Sequence, residues 1–316
     1  MIFIKGYILR KIISSVLTLL VIITAAFIVT RVTPGDPAEI LLGDYATPEL
    51  VKMLRKEMEL DKPVLVQYST YMKKIFRIDL GTSFRTDREV SITLLEQYPY
   101  TLHLCLGSIL ISVLVGIPLG TLAAIKRKSW IDKVILPTSV LAISTPMFWL
   151  ALLVLFFFSI YFQWFPLLGA GNPNNWGSLG YHLVLPAFVL GLREAAIITR
   201  MTRATVIDVL DQDYIRTARA KGLTERAVIW KYAVRNSLNP IASIVGLDIL
   251  SLLGGSVIAE VVFSRPGVGH LLVYSISARD YPMVQGATLF IAFAVVIINV
   301  LTDISYRLLD PRIELE

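Results

Sequence analysis

TLHLCLGSILISVLVGIPLGTLAAI, residues 101–125, contains no Asp, Glu, Lys or Arg, and Lys126-Arg127-Lys128 follows it directly. About 20 consecutive, mostly apolar residues in a helix cross the roughly 30 Å of hydrocarbon in a bilayer. A buried helix of a soluble domain is usually shorter than that. The stretch therefore predicts a transmembrane helix with a basic cluster at one end.

The whole chain has the composition of a membrane protein. Of its 316 residues, 55% are hydrophobic and 17% are charged, and the mean hydropathy is +0.67, which is too apolar for an ordinary soluble domain. The net charge of +6 does not indicate nucleic-acid binding, because the basic residues fall mainly between apolar runs. Cys105 is the single cysteine, which excludes an intrachain disulfide and a cysteine-rich metal site.

Five further apolar segments complete a prediction of six transmembrane helices in an all-α integral membrane protein. These segments are residues 12–30, 134–162, 182–198, 241–263 and 284–304. In chain order, the third of the six is long enough to tilt or to extend past the membrane. The fourth is the shortest and carries Arg193 and Glu194 near its end.

Lysine and arginine are distributed asymmetrically between the connections. They are concentrated at the N-terminus, at residues 126–133 and at residues 200–235, whereas residues 163–181 contain none. Because cytoplasmic loops carry the excess of these residues, both termini are predicted to be cytoplasmic. The first apolar run is too long for a signal peptide and lacks a clear small-x-small site before Arg31, so we expect it to remain as a helix.

The region between the first two spans predicts a small helical extracytoplasmic subdomain. Pro34-Gly35-Asp36-Pro37 is a turn signal, and Thr47-Pro48 begins a helix that Asp61-Lys62-Pro63 ends before a second helix follows. The predicted domains are an N-terminal transmembrane helix at 1–31, the subdomain at 32–97, a five-helix core at 98–307 with a cytoplasmic loop at about 200–240, and a cytoplasmic tail at 308–316.

Prolines interrupt the predicted spans at several positions, and few polar residues lie within them. Asp248 is the deepest charged residue, and buried charges in membranes are costly and often functional. Gly254-Gly255 and Ser144-Thr145-Pro146 are points where a helix can kink or pack closely. We take Asp248, Gly254 and Gly255 as candidates for the translocation pathway or its gating. The alternatives are a structural ion pair for the aspartate and static helix packing for the glycines.

The loop at residues 200–240 is too patterned for a disordered tether. Asp213 is predicted to cap a helix over 214–221, Gly222 suits the left-handed position after its last turn, and Thr224 is placed to cap a second helix from Glu225. An apolar stripe on the second helix contains Val228, Ile229, Tyr232 and Ala233. This helix–glycine–helix bracket is suited to docking in a groove on a partner or to packing on the protein's own underside.

At these residues the chain resembles the ATPase-coupling loop of ABC importer permeases, in the dipeptide, oligopeptide and nickel branch. The loop residues concerned are Asp213-Tyr214-Ile215-Arg216-Thr217-Ala218-Arg219-Ala220-Lys221-Gly222-Leu223 and Arg235-Asn236-Ser237-Leu238-Asn239-Pro240. Elsewhere the matching fragments are Thr33-Pro34-Gly35-Asp36-Pro37-Ala38, Leu60-Asp61-Lys62-Pro63, Asp79-Leu80-Gly81-Thr82-Ser83-Phe84, Ser144-Thr145-Pro146-Met147-Phe148-Trp149, Phe263-Ser264-Arg265-Pro266-Gly267-Val268-Gly269 and Arg279-Asp280-Tyr281-Pro282. Their order and spacing over nearly the whole chain are far more specific than any one fragment.

The chain departs from the general importer motif in one place. That motif opens with Glu-Ala-Ala, where this sequence has Arg216-Thr217-Ala218, and its closing proline comes earlier than the proline here. Both departures look normal for the peptide branch. The resemblance therefore concerns that branch rather than importers in general.

The resemblance implies a type I ABC importer permease core in the plasma (inner) membrane of a prokaryote, with the outer subdomain of the first of two dissimilar permeases. It also implies a second homologous permease, two ATP-binding subunits and an extracytoplasmic substrate-binding protein as partners. The residues implied in coupling are Asp213, Tyr214, Arg216, Thr217, Ala218, Ala220, Lys221, Gly222 and Leu223. ATP and Mg²⁺ are expected on the partner subunits, with no cofactor in this chain. The sequence lacks the G-x-x-x-x-G-K-[ST] phosphate-binding loop, so we expect a transport subunit and not an enzyme.

Import of short peptides is the first hypothesis, and nickel or glutathione import are rivals within the same family. An ion-coupled secondary carrier would need a discontinuous binding site and coupling carboxylates at the membrane midplane, neither of which the sequence indicates. A membrane-embedded hydrolase would need a nucleophile–base or metal set. His103, His182 and His270 fall in separate regions without an H-E-x-x-H pattern, so no catalytic residue and no metal site is predicted.

Overall fold

The chain folds into helices. The structure is a computed structural model that describes residues 2–32 and 35–309. In chain order the helices are α1 (Ile2–Val32), α2 (Pro37–Leu42), α3 (Pro48–Glu57), α4 (Val64–Phe76), α5 (Val90–Ile125), α6 (Trp130–Ser144), α7 (Met147–Val154), α8 (Trp176–Leu210), α9 (Asp213–Ala220), α10 (Glu225–Ala227), α11 (Arg235–Val262), α12 (Val268–Ser277) and α13 (Tyr281–Leu309). π-Helical turns follow α7 at Leu155–Tyr161 and α10 at Val228–Val234.

Five of the described helices are long and apolar enough to cross a membrane, namely α1, α5, α8, α11 and α13. A sixth span is added if α6 and α7, with the turn that follows α7, count together as one bent span. The prediction of an all-helical membrane protein is thereby confirmed, with five or six candidate spans. Residues 310–316, most of the predicted tail, lie outside the described residues.

The span predicted at 134–162 is not continuous. The helix ends at Ser144, and the one that begins at Met147 is turned by 107°. The ring of Pro146 disfavours a helical residue before it, and Thr145 accordingly takes an extended conformation at φ −76° and ψ 128°. The backbone amide and the hydroxyl of Thr145 both donate to the Leu141 carbonyl, at 2.9 and 2.7 Å. The helix is therefore broken, and not only kinked, at this proline, and Thr145 caps the end of α6.

The membrane-length helices extend beyond their predicted spans, most clearly α8 and α5. The span predicted at 182–198 belongs to α8, which has 35 residues and continues to Leu210. Thr202 and Val206 remain buried there, so an inward-facing stripe persists after the charged residues that end the apolar run. The start of α5 at Val90 likewise places the predicted domain boundary at 97/98 within a helix.

The described residues form two compact units. The first contains residues up to 99 together with 266–297, and the second contains residues 100–265 together with those from 298 onward. The core of the first unit is built from α5 and α13 side chains with one contribution from α12. Its buried members are Val90, Leu94, Val268, Met283 and Ala287.

The outer segment of the first unit, residues 35–89, begins its helices largely as predicted. The Thr47 hydroxyl caps α3 by accepting from the Leu50 amide at 3.4 Å, with Pro48 at the first helical position. The segment is tied to the start of α13 by Asp280, whose carboxylate accepts from the Ser83 hydroxyl and from the Phe84 amide at 3.1 Å. Two fragments that lie 197 residues apart are thus in direct contact.

The second unit packs α8 against α5 and α11. At Gly120 and Gly191 a Cβ atom would lie 2.5 Å from the Thr199 carbonyl and 2.6 Å from the Ser108 carbonyl, so only glycine permits this approach of α5 and α8. Small residues allow helices in a membrane to pack closely in this way. The surrounding core contains Leu104, Cys105, Ala187, Leu190, Leu252 and Ala259.

Candidate functional site

The bracket, residues 213–234, is held by a small apolar core of its own. Ile215 and Ala218 on α9 pack against Val228, and all three are buried. The partly buried side chains of Val209, Leu210 and Tyr232 surround them. Of the two uses predicted for the bracket, packing on the protein itself takes the buried side chains. A partner must contact the exposed face, which carries Tyr214, Leu223 and Trp230 as well as charged residues.

The turn at Gly222 is a helix stop of the Schellman type. The Leu223 amide donates to the Ala218 carbonyl at 3.4 Å, and the Gly222 amide donates to the Arg219 carbonyl at 2.9 Å. Gly222 has φ 78°, so the predicted left-handed conformation is confirmed. A Cβ atom on this residue would meet nothing within 4 Å. The glycine is therefore required by backbone conformation and not by crowding.

The caps on the two arms of the bracket differ. Thr224 caps α10 as predicted, accepting from the Ala227 amide at 3.4 Å. The predicted Asp213 cap is wrong, because Gln212 occupies the extended capping position and its side chain makes no capping bond. Asp213 is instead the first residue of the helix, where its negative charge still faces the positive end of the helix dipole. It forms an exposed ion pair with Arg216 at 3.3 Å.

Eight of the nine predicted coupling residues are exposed. They are Asp213, Tyr214, Arg216, Thr217, Ala220, Lys221, Gly222 and Leu223. Ala218 is buried, so it supports the bracket rather than presenting a contact surface. Across the glycine turn, the Arg219 guanidinium donates to both carboxylate oxygens of Glu225 at 2.8 and 3.4 Å, which joins the two arms. A cleft of about 430 Å³ lies beside the second arm, lined by Thr224, Arg226, Ala227 and Trp230.

The second arm is continuous with a membrane-length helix. Val228–Val234 keeps helical backbone geometry at both ends and passes into α11 at Arg235 without a break. Ala233 and Val234 pack against Ala124 at the end of α5 and Val206 on α8. The second arm is therefore joined to α11 by packed helix and not by a flexible loop.

A polar contact that the sequence did not indicate lies near the bracket. The Arg203 guanidinium donates to both oxygens of Asp132 at 2.6 and 2.8 Å, and the Lys128 amide donates to the same carboxylate at 2.9 Å. Such a bidentate pair is geometrically specific and stronger than a neutral hydrogen bond. It ties the start of α6 to α8. A lone acidic residue within the basic stretch 126–133 was the only available signal.

Asp248 is buried between α11 and α8. It interacts with Glu194, which in turn accepts from the Ser251 hydroxyl at 3.1 Å. A Cβ atom on Gly255 would lie 3.0 Å from the Leu190 side chain, whereas one on Gly254 would meet nothing within 4 Å. The contact at Gly255 matches the static-packing alternative. Assignment of Asp248, Gly254 and Gly255 to a pathway or gate stays a prediction.

Arg265 is a second polar residue whose environment the sequence did not reveal. Its side chain is 1% exposed, and its guanidinium lies 5.9 Å from the centre of the Tyr100 ring. Burial lowers the pKa of this guanidinium, although nearby Glu260 opposes the shift. The fragment at 263–269, one of those that carry the family resemblance, therefore contains a buried arginine.

Comparison with known proteins places these features in a family. Residues 116–315 match the model of the binding-protein-dependent transport system inner membrane component, and residues 4–105 match that family's N-terminal model. A putative peptide transport system permease protein of Brucella abortus is 41% identical over 310 residues, which are 97% of this chain and 98% of that protein. The glutathione transport system permease protein GsiC of Salmonella typhimurium is 36% identical over 308 residues, or 98% of each chain.

A solved structure shares the fold. The inward-facing MetNI methionine ABC transporter contains a chain that superposes with a TM-score of 0.54 at 16% sequence identity, covering 70% of this chain and 97% of that one. At this identity the likeness concerns the fold alone. The two family models and the full-length relatives lead to one conclusion. The chain belongs to the family of binding-protein-dependent transport system inner membrane components, the permease subunits of ABC importers.

Proposed function

We propose that this chain is the permease subunit of an ATP-driven importer of short peptides. The observation that carries the proposal is the bracket, whose polar face is exposed while its second arm continues into α11. The peptide substrate is supported by the name of the Brucella abortus relative, at 41% identity over 97% of this chain. The chain forms half of the translocation pathway, and a second homologous permease forms the other half.

The proposed arrangement in the membrane has six spans, with α6 and α7 together making the bent one. Both termini and the bracket lie in the cytoplasm, since lysine and arginine are concentrated there, and the outer segment 35–89 lies outside. The membrane is the inner membrane of a prokaryote. Two ATP-binding subunits hold the bracket and its counterpart, and a substrate-binding protein delivers the peptide from outside.

The proposed mechanism uses the bracket as a lever. ATP and Mg²⁺ bind to the partner subunits, and this chain carries no cofactor. Closure of those subunits displaces the Gly222 turn, and the packed arm Val228–Val234 carries the displacement into α11 and α8. Different contacts between bracket and partner in the two states supply the free energy that shifts the helices between outward-facing and inward-facing arrangements.

Glutathione is a second candidate substrate. The relative GsiC, a glutathione permease, is 36% identical over 98% of this chain. Glutathione is itself a short peptide, so the two readings predict related binding chemistry. Uptake of a labelled dipeptide in the presence of unlabelled glutathione separates them. If glutathione is the substrate, a low concentration of it blocks uptake of the dipeptide; if dipeptides are the substrate, it does not.

The test of the coupling proposal is Gly222→Val. A β-branched residue at φ 78° strains the turn, so we expect ATP-driven uptake to fall about tenfold or more while the chain stays in the membrane with its ATP-binding subunits. Each 1.4 kcal/mol of lost coupling free energy corresponds to about a tenfold change in the equilibrium between the two states.

Gly169→Val is the matched control for this variant. Gly169 also has a positive φ, 90°, and a Cβ atom there would likewise meet nothing within 4 Å. It lies in the connection between α7 and α8 and not in the bracket. We expect similar backbone strain without loss of coupling. Normal uptake by Gly222→Val, or equal loss in both variants, would count against the proposed role of the bracket.

A further inference from the structure

The first compact unit contains a polar cavity that the coupling mechanism does not use. Its volume is about 290 Å³, near the lower limit for a small-molecule site. One wall is α4, and the others are the end of α1 and the beginning of α13. The residues that decide its chemistry are Arg31, Gln67, Tyr71, Lys74, Tyr281 and Gln285.

Arg31 is held in place in this cavity without a carboxylate partner. Its guanidinium lies 5.1 Å from the centre of the Phe27 ring and 4.9 Å from that of Tyr281, which are cation–π distances. Its Nε and Nη1 atoms are buried and have no hydrogen-bond partner among the described residues. Both atoms keep N–H groups that can donate, and a planar guanidinium with free donors is suited to binding a carboxylate.

Two neighbouring polar groups are also unused. The Tyr71 hydroxyl is buried and makes no hydrogen bond within the described part of the chain, while its ring stacks on Phe27 at 5.6 Å. Burial raises the pKa of Tyr71, so the hydroxyl keeps its proton and can donate. Gln67 is 8% exposed and uses its amide nitrogen on the Lys62 carbonyl at 2.7 Å, which leaves its Oε1 atom without a partner. An unsatisfied buried polar group of this kind costs stability unless a ligand pairs with it.

The charges around the cavity restrict the ligand. Arg31 and Lys74 are the basic groups in its lining, and Glu57, Glu59 and Asp79 are the acidic ones. These three carboxylates would repel a polyanion. A ligand with a single carboxylate could pair with Arg31 while the three acidic side chains stay in place. The acidic residues and the free oxygen of Gln67 suit an ammonium group on the same ligand. The chemistry thus fits a small zwitterion.

We propose that this cavity binds the terminal carboxylate of a short peptide or amino acid, with Arg31 and Tyr71 donating to it. The peptide identity of the ligand rests on the proposed function, whereas recognition of a carboxylate rests on the cavity alone. The site would hold solute against the outer segment.

The experiment measures binding of radiolabelled dialanine to the full-length chain in lipid nanodiscs with the subunits that purify with it. The binding protein is left out. We expect Arg31→Gln to weaken binding about tenfold or more, because hydrogen bonds to charged groups are the stronger ones. Tyr71→Phe removes a single donor, and we expect a loss of about threefold. Dialanine amide, which lacks the carboxylate, should bind wild type as weakly as dialanine binds Arg31→Gln.

Arg55→Gln is the matched control, because Arg55 is an arginine of the same compact unit that already has a partner, Asp36 at 2.7 Å. It should bind dialanine as wild type does. If Arg31→Gln does not fold, the comparison of dialanine with its amide and the Tyr71→Phe variant still decide the outcome. Equal binding of the acid and the amide would overturn the proposal.

A carboxylate could also come from an acidic side chain of the docking binding protein. In that case Arg31→Gln would weaken association with the binding protein and leave dialanine binding unchanged, which would also overturn the proposal. The proposed function would fail by itself if dialanine bound at Arg31 but was not transported. This inference would fail by itself if uptake depended on Gly222 while dialanine affinity was the same in wild type and Arg31→Gln.

Discussion

The outer segment 35–89 and the bracket 213–234 are both short, polar and built from helices that a glycine or proline stops, yet they use their polar groups in opposite ways. In the outer segment, Ser83 bonds to the distant Asp280 and the Gln67 amide nitrogen bonds to the Lys62 carbonyl, whereas the Tyr71 hydroxyl and the Gln67 Oε1 atom have no partner among the described residues. In the bracket, Ile215, Ala218 and Val228 face inward, and the ion pair of Arg219 with Glu225 is exposed. Hydrogen bonds to distant residues anchor the outer segment to the rest of its unit, whereas the exposed groups of the bracket are available to a partner.

The largest effect is expected from breaking the anchor of the outer segment. Asp280→Ala leaves the buried Ser83 hydroxyl and the Phe84 amide without their charged acceptor. Loss of these hydrogen bonds should lower the free energy of unfolding by about 4 kcal/mol. Chemical unfolding of the purified protein measures this change, and Asp280→Asn, which retains one acceptor oxygen, should lose about half as much. A stability equal to wild type would show that Asp280 does not anchor the segment.

The bracket should instead be sensitive to loss of its apolar core. Ile215 is fully buried, and truncation of such a residue to alanine costs about 3 kcal/mol. Because this core is local, the cost should appear as opening of the bracket, with amide hydrogen exchange at residues 215–232 rising about a hundredfold. Exchange in α3 and α4 serves as the internal control. An equal increase in exchange rate in the bracket and in α3 and α4 would show that the two regions do not open independently.

The smallest effect concerns an exposed ion pair. The Lys62 ammonium donates to Glu59 at 2.7 Å and lowers the pKa of that carboxyl. A lowered folded-state pKa contributes stability above the unfolded value, about 4.3, and the contribution is lost as pH falls through the folded value. Lys62→Ala should therefore be about 0.3 kcal/mol less stable than wild type at neutral pH, and the gap should close below about pH 4. Unfolding curves across pH measure the gap, and one that widens in acid would refute this account.

Local features were predictable from the sequence because their causes lie within a few residues. The apolar runs, the Thr47 and Thr224 caps and the left-handed Gly222 all follow from local chemistry. The Asp213 cap was misplaced by one residue, since Gln212 takes the extended position without using its side chain. The sequence indicated a kink at Pro146, but proline permits both bends and breaks, so the 107° angle was not predictable.

Contacts between distant residues were not predictable. Asp132 and Arg203 lie 71 positions apart, and no periodicity or motif connects them. The same holds for Glu194 and Ser251, and for the group of unused donors around Arg31. The inward position of Ala218 depends on how α9 is rotated against Val228, which is set by tertiary packing. Sequence patterns predicted the position of the bracket in the chain, whereas only the structure showed which of its residues are exposed.

The break between α6 and α7 bears on how well the membrane is sealed. The helix Trp130–Ser144 has 15 residues, and at a rise of 1.5 Å per residue such a helix is about 22 Å long, short of the roughly 30 Å of hydrocarbon that insulates the two aqueous sides from each other. Irregular backbone at this depth is tolerated only against protein or water. Lipid therefore cannot fill the inside of the bend. Part of the required seal comes from this chain, because Met147 at the start of α7 packs against side chains of α8 and α11.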